Sequence, residues 1–271
     1  MTEIRSRPIL IQDVDPELDC GRFPVKREVG DALEVAATVF KEGHDRLAVM
    51  LKYRRKGDSS WSETPMTLIN PGLDRWVGSF VTTDNTRYLY TIEAWTDAYE
   101  SWVHEIEKKR GAGQSVELEL IEGRDLVAQA QMRASGSDAQ ALETFLADLD
   151  ASEDDERRAA LLLSSSVRDL MARHSDRSEA VTYDHELEVV VDRVAARFAA
   201  WYEMFPRSQG TESGKWATFK DCEQRLPEIR DLGFDVIYLV PIHPIGRIHR
   251  KGPNNTVGAG QNDPGSPYAI G

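Results

Sequence analysis

Toward the C-terminal end of the sequence, cations, a glycine and two amides fall within a few positions of one another: Arg250-Lys251-Gly252, then Asn254-Asn255. Arg and Lys donate charge-assisted hydrogen bonds to an anion, glycine lets the backbone approach it, and Asn side chains bond hydroxyls or phosphate oxygens. The composition suits a phosphorylated sugar or polyol, and equally a solvated basic loop. His243, flanked by Pro241 and Pro244, is read as holding the loop in shape through a backbone hydrogen bond in preference to catalysis. Glu203 and Asp221, the carboxylates open to suspicion as catalysts, fall inside an expected strand and at the start of an expected helix. Packing, capping or interior hydrogen bonding accounts for both there. No residue is assigned as catalytic, and no metal or cofactor is expected.

The elements that must position this loop follow from apolar periodicity. From Asp31 to about Ile121 the apolar residues alternate, as in Leu33, Val35, Ala37, Val39 and in Leu47, Val49, Leu51, Tyr53. Successive strand side chains point to opposite faces, so short alternating runs between polar turns predict a small antiparallel sandwich of immunoglobulin-like type, with no helix among its strands. Beyond Glu122 the spacing becomes helical. Leu142, Phe145, Leu146 and Leu149 mark one helix, Leu163, Val167, Leu170 and Met171 a second, and Leu187, Val191, Val194 and Phe198 a third. The acidic run Glu153 to Glu156 falls where the second would begin, favoured by the positive end of a helix dipole. From Trp201 the pattern reads strand (201–205), helix (218–232, with Pro227 inside it) and apolar strand (236–240). That is one βαβ unit, and the basic loop leaves the carboxyl end of its second strand, where parallel α/β folds bind ligands. The expected domains are therefore a β-sandwich over 1–121, a helical domain over 122–199, and the start of a (β/α)8 TIM barrel over 200–271.

Several long segments then match a known family in order. Trp201-Tyr202-Glu203-Met204-Phe205-Pro206-Arg207-Ser208, Leu232-Gly233-Phe234-Asp235-Val236-Ile237-Tyr238-Leu239, Pro241-Ile242-His243-Pro244-Ile245-Gly246, Arg250-Lys251-Gly252 and Asn254-Asn255 closely resemble the α-1,4-glucan:maltose-1-phosphate maltosyltransferases of the α-amylase superfamily. The resemblance is strongest from Trp201 to Gly271 and looser before it. It departs at Val240, where the family commonly has a second proline, and at Tyr268, where it commonly has Trp. It implies a β-sandwich, a helical domain and a catalytic barrel in that order, and a homodimer built from the N-terminal regions. It also implies transfer of maltosyl units from α-maltose 1-phosphate to an α-1,4-glucan, with Lys251 contacting the phosphate and Asn254 and Asn255 as further substrate contacts. A retaining mechanism needs a nucleophile and a general acid/base about 5 Å apart. The family draws both from later barrel strands, so the chain is expected to stop short of its own chemistry. Two other readings stay open: a hydrolase or branching enzyme of the same superfamily, and a non-catalytic glucan-binding or dimerising fragment.

Composition narrows the remaining classes. Of 271 residues 41% are hydrophobic and 29% charged, and no apolar run approaches the roughly 20 residues of a membrane span. Acidic residues interrupt the start of the chain at Asp13, Asp15, Glu17 and Asp19, unlike a secretory signal, so a cytoplasmic protein is expected. A net charge of -13 argues against a nucleic-acid partner. Cys20 and Cys222 form no CxxC pattern and are expected as reduced thiols.

Overall fold

The computed structural model describes residues 8–263 and 265–268. The chain divides into two compact units, Met1–Asp192 and Arg193–Gly271, each treated by itself.

The first unit opens with β1 (Leu10–Asp15), β2 (Val25–Glu28), β3 (Ala32–Phe40), β4 (Leu47–Arg55), β5 (Ser62–Pro65), β6 (Thr67–Asn70), β7 (Arg75–Val81) and β8 (Arg87–Thr96). Helices α1 (Ala98–Gly111), α2 (Glu117–Arg133), α3 (Gly136–Asp150), α4 (Asp155–Leu162) and α5 (Ser165–Arg173) follow, and the chain returns to strand in β9 (Val181–Thr182) and β10 (Leu187–Asp192). One sheet runs β1-β3-β7-β6 and the other β2-β10-β8-β4-β5, with β9 also on β8. All pairs are antiparallel except β10 with β2. Alternation does what the sequence predicts: Leu33, Val35, Ala37 and Val39 on β3, and Val49 and Leu51 on β4, turn into one core shared by both sheets. The Tyr53 and Phe80 rings bridge the sheets, stacked at 4.2 Å and 8°.

Three expectations are corrected here. The stretch from Asp31 to Ile121 is not all strand, because α1 occupies its last third. Tyr99, Trp102, Val103 and Ile106 are buried at spacings i, i+3, i+4 and i+7 that carry a helical signal, and Asp97 caps the helix by accepting from the Glu100 N–H at 3.0 Å. Conversely, the third expected helix does not form. Leu187 and Val191 lie four apart, a separation that puts side chains on one side of a helix and of a strand alike. Val189 settles the choice: Leu187, Val189 and Val191 are all buried on β10, and three successive valines favour the extended backbone. Val194 and Phe198 are left exposed. The second expected helix is two, α4 and α5, and the acidic run caps the first of them through Asp154, which accepts from the Glu156 N–H at 3.2 Å.

The helices have a separate core. Within it α1 meets α2 where the Trp102 indole donates to the Glu119 carbonyl at 2.7 Å and lies on Gly123. A Cβ at Gly123 would stand 2.3 Å from the Trp102 ring. Gly123→Ala gains roughly 1 kcal/mol of helix propensity, but overpacking typically costs about 1–3 kcal/mol. The variant is expected to unfold at lower temperature than the native chain, measured by circular dichroism; an unchanged or raised midpoint would show that the ring can move aside.

Candidate functional site

The second unit contains β11 (Trp201–Met204), α6 (Phe219–Glu223), α7 (Leu226–Asp231) and β12 (Val236–Leu239). Strands β11 and β12 pair in parallel from Trp201↔Val236 to Met204↔Leu239. Met204, Cys222 and Ile229 form the small core between strands and helices, and burial pushes the Cys222 thiol above its ordinary pKa. The single helix expected over 218–232 breaks into two because Pro227, in the first turn of α7, has no N–H to continue a helix from before it. Thr218 and Asp221 close a capping box on α6. The Asp221 carboxylate accepts from the Thr218 N–H at 2.6 Å and hydroxyl at 2.8 Å, and these bonds, the backbone one first, hold its pKa below the usual range. Glu203 on β11 accepts from the Tyr268 hydroxyl at 3.0 Å, which raises that phenol's pKa. Asp221 thus has the capping role expected of it, whereas Glu203 is exposed and bonds Tyr268 at the surface instead of in an interior.

A cleft of about 260 Å³ lies past the carboxyl ends of the two strands, bordered by Phe205, Arg207, Thr218, Phe219, Val240 and His243 among others. Val240 is buried, and its N–H continues the ladder to the Met204 carbonyl at 3.4 Å, a bond that a proline there could not make. The His243 ring contacts the Pro244 carbonyl through Nδ1 at 3.2 Å, in keeping with a loop-shaping histidine. Lys251, Asn254 and Asn255 are not in the lining of this cleft. They belong to a tight turn of their own. Lys251 bridges to Val257, the Gly252 N–H donates to the Thr256 carbonyl at 2.9 Å, and a Cβ on Gly252 would meet Thr256 Oγ1 at 2.8 Å. Asn254 and Asn255 turn this loop at φ 53 and 58, left-handed conformations that Asn tolerates better than most residues. Sequence reading singled out Lys251, the asparagines and His243, and of these His243 alone borders this cleft. Arg207, Thr218 and Phe219 come from the segments after β11 and into α6, and only the position of Arg207 just past a strand end could have pointed to it.

The loop's electrostatics set it apart. The side chains of Arg247, Arg250 and Lys251 make no hydrogen bond or ion pair among the described residues, and Arg250 Nε is buried without an acceptor. Elsewhere cations commonly meet carboxylates, as in Arg124 with Asp150 at 2.7 Å and Arg173 with Asp138 at 2.9 Å.

The family model described as "Alpha-1,4-glucan:maltose-1-phosphate maltosyltransferase, domain N/S" matches residues 7–193, more than half of the sequence. The chain belongs to the α-1,4-glucan:maltose-1-phosphate maltosyltransferase family. Proteins of that name from Rhodospirillum rubrum, Myxococcus xanthus and Chlorobaculum tepidum are 49%, 46% and 44% identical to it, over 98%, 100% and 98% of this chain. The aligned part makes up 40%, 41% and 39% of those relatives, so the chain spans about two fifths of their length. Among the described residues no helix is long and apolar enough to cross a membrane.

The Asp221 capping box gives a pH test. A carboxylate whose folded pKa is depressed stabilises the fold above its unfolded value, about 3.9 for Asp, and that contribution is lost as the pH falls through the lower folded value. Asp221→Ala is expected to reduce amide protection in α6 and at Ile229 at neutral pH, measured by hydrogen exchange. The difference from the native chain should shrink as the pH drops below the ordinary carboxylate range; a pH-independent difference would mean that the box acts through packing.

Proposed function

We propose that this chain is part of an enzyme that moves a maltosyl unit from α-maltose 1-phosphate to the non-reducing end of an α-1,4-glucan. In the reaction the bond between the sugar's anomeric carbon and the phosphate oxygen breaks, an α-1,4 bond to the acceptor's 4-hydroxyl forms, that hydroxyl gives up its proton, and phosphate leaves. The reading rests on membership of the family. Neither carboxylate of the retaining double displacement is assigned to a residue of this chain. The parts proposed are a sandwich over 1–121, whose last stretch from Ala98 joins the helical core, a helical domain over 122–199 and the first βαβ unit of a (β/α)8 barrel over 200–271, with the end of the second stretch (β9 and β10) returning to the sandwich. The proposed setting is the cytoplasm, with no nucleic-acid partner for a chain of net charge -13.

Within that reading Lys251 contacts the donor's phosphate, and Asn254 and Asn255 flank the sugar. The observation that carries it is the set of unspent donors at Arg250 and Lys251, the latter held at the neck of a tight turn. Unpaired with any carboxylate among the described residues, such donors serve an incoming dianion. In an enzyme extending this sequence over the length of its relatives, Lys251→Ala should weaken α-maltose 1-phosphate by about tenfold to a hundredfold, the worth of a charged hydrogen bond. Maltose itself should bind almost unchanged. Calorimetry showing both ligands weakened alike would remove the phosphate role.

A homodimer through the N-terminal region is the second part of the proposal. Leu118 and Ile121 are 70% and 53% exposed and lie three positions apart on one face of α2, an exposed apolar pair that suits a copy of itself. The chain should sediment as a dimer at micromolar concentration, and Leu118→Glu combined with Ile121→Glu should make it monomeric. A native monomer, or a double variant that stays dimeric, would move the interface elsewhere.

A further inference from the structure

A second cleft, in the first unit, has the chemistry of a saccharide site. It measures about 320 Å³ and lies among the β3–β4 loop, the turn before β7 and α1, within the size range of small-ligand sites. Trp76 on β7 forms part of its wall. The ring packs partly against the sandwich core and is held in orientation by its indole N–H, which donates to the Val39 carbonyl at 3.1 Å. Phe40 and Leu68 extend the apolar wall. Around it stand polar groups that the fold leaves unspent. The Asp74 carboxylate and the His44 ring line the cleft, and neither makes a hydrogen bond or ion pair among the described residues. Among the described residues the Arg46 guanidinium meets only the His104 ring, at 3.2 and 3.4 Å, while the Arg46 backbone N–H is anchored to Ser101 Oγ at 2.7 Å.

The balance of charge decides the class of ligand. Lys41 is neutralised inside the cleft by Asp45, at 2.7 Å, with a second bond to Thr96 Oγ1 at 3.0 Å. Arg46 and the uncommitted Asp74 line the same cleft with opposite charges. Burial, with Arg46 beside it, lowers the pKa of His104 and keeps that ring neutral at pH 7. An anion would find no excess of positive charge there. A ligand with vicinal hydroxyls and an apolar face would find a carboxylate to accept, a guanidinium to donate, a neutral imidazole that does either, and an indole for the face. We propose that this cleft binds a neutral α-1,4-glucan chain, remote in sequence from the basic loop; the choice of an α-linked glucan rests on the function proposed above, and the neutral saccharide class on the cleft alone.

The test is titration of the 271-residue chain, carrying 15N-labelled tryptophan, with maltoheptaose, with cellohexaose and with inorganic phosphate. Of the six indole signals, the one lost in Trp76→Phe belongs to Trp76. It should shift saturably with maltoheptaose and not with cellohexaose or phosphate. Trp76→Ala should weaken maltoheptaose by about tenfold or more. Should that variant fail to fold, Asp74→Asn serves in its place, because Asp74 has φ 49 and Asn accepts that backbone; a loss of about fivefold is expected. An unmoved Trp76 signal, equal response to cellohexaose, response to phosphate alone, or full binding by Asp74→Asn would each overturn the proposal. Lys251→Ala should leave this titration unchanged, so failure of the phosphate reading and failure of this one give different results.

Discussion

Strand β8 holds both ends of the first unit's long excursion. The chain leaves β8 at Thr96, passes through five helices, and comes back to the same strand, with Val181 opposite Ala94 and Leu187 opposite Tyr90. The helical core can therefore be elaborated without opening the sandwich, since the two points of attachment are fixed by one ladder. Loop-closure entropy rises only slowly with length, about 0.6 kcal/mol per doubling, so the insertion is tolerated as long as the return is specific. Arg177 supplies that specificity. Its guanidinium lies 4.1 Å over the Trp95 ring and pairs with Glu63 and Glu93, at 2.9 and 3.3 Å, pinning the returning segment to β5 and β8 before β9 begins.

What could be read from sequence follows from which residues have only one use. Leu33, Val35, Ala37 and Val39 fit no period but two, and the strand they predict is the strand that forms. Leu142, Phe145, Leu146 and Leu149 fit only a helix, and α3 contains them all. Leu187 and Val191 satisfy both periods, and their environment had to choose. Helix α1 was hidden for a different reason: its apolar face is aromatic at Tyr99 and Trp102, and it follows an aromatic-rich strand whose composition it continues.

The sites divide along the same line. Asp221 and Glu203 were assigned to capping and interior bonding because a carboxylate at a helix start or within a strand has a common structural use, and the geometry gives each a partner at 3.0 Å or less. Composition shows that Arg250 and Lys251 are cations but not that they are unpaired, since pairing depends on distant carboxylates. The Trp76 cleft was illegible altogether. Its members come from positions 39 to 104, and no local spacing joins His44 to Asp74 and His104.

The order of strands in the second sheet carries a consequence for biosynthesis. Strand β2 has only β10 as its neighbour there, and Val25 lies beside Val189. As the polypeptide leaves the ribosome N-terminus first, β2 emerges early and has no edge to join until the segment around Val189 follows. Strands β3 to β8 can already pair with one another by then, and the helices can assemble their own core. The first unit thus completes its sheet by a late insertion of β10 between β2 and β8, two strands that have waited in the nascent chain. A ribosome halted within the helical segment would expose the edge of β8 and strand β2 together, a pair of open partners that chaperones would have to shield.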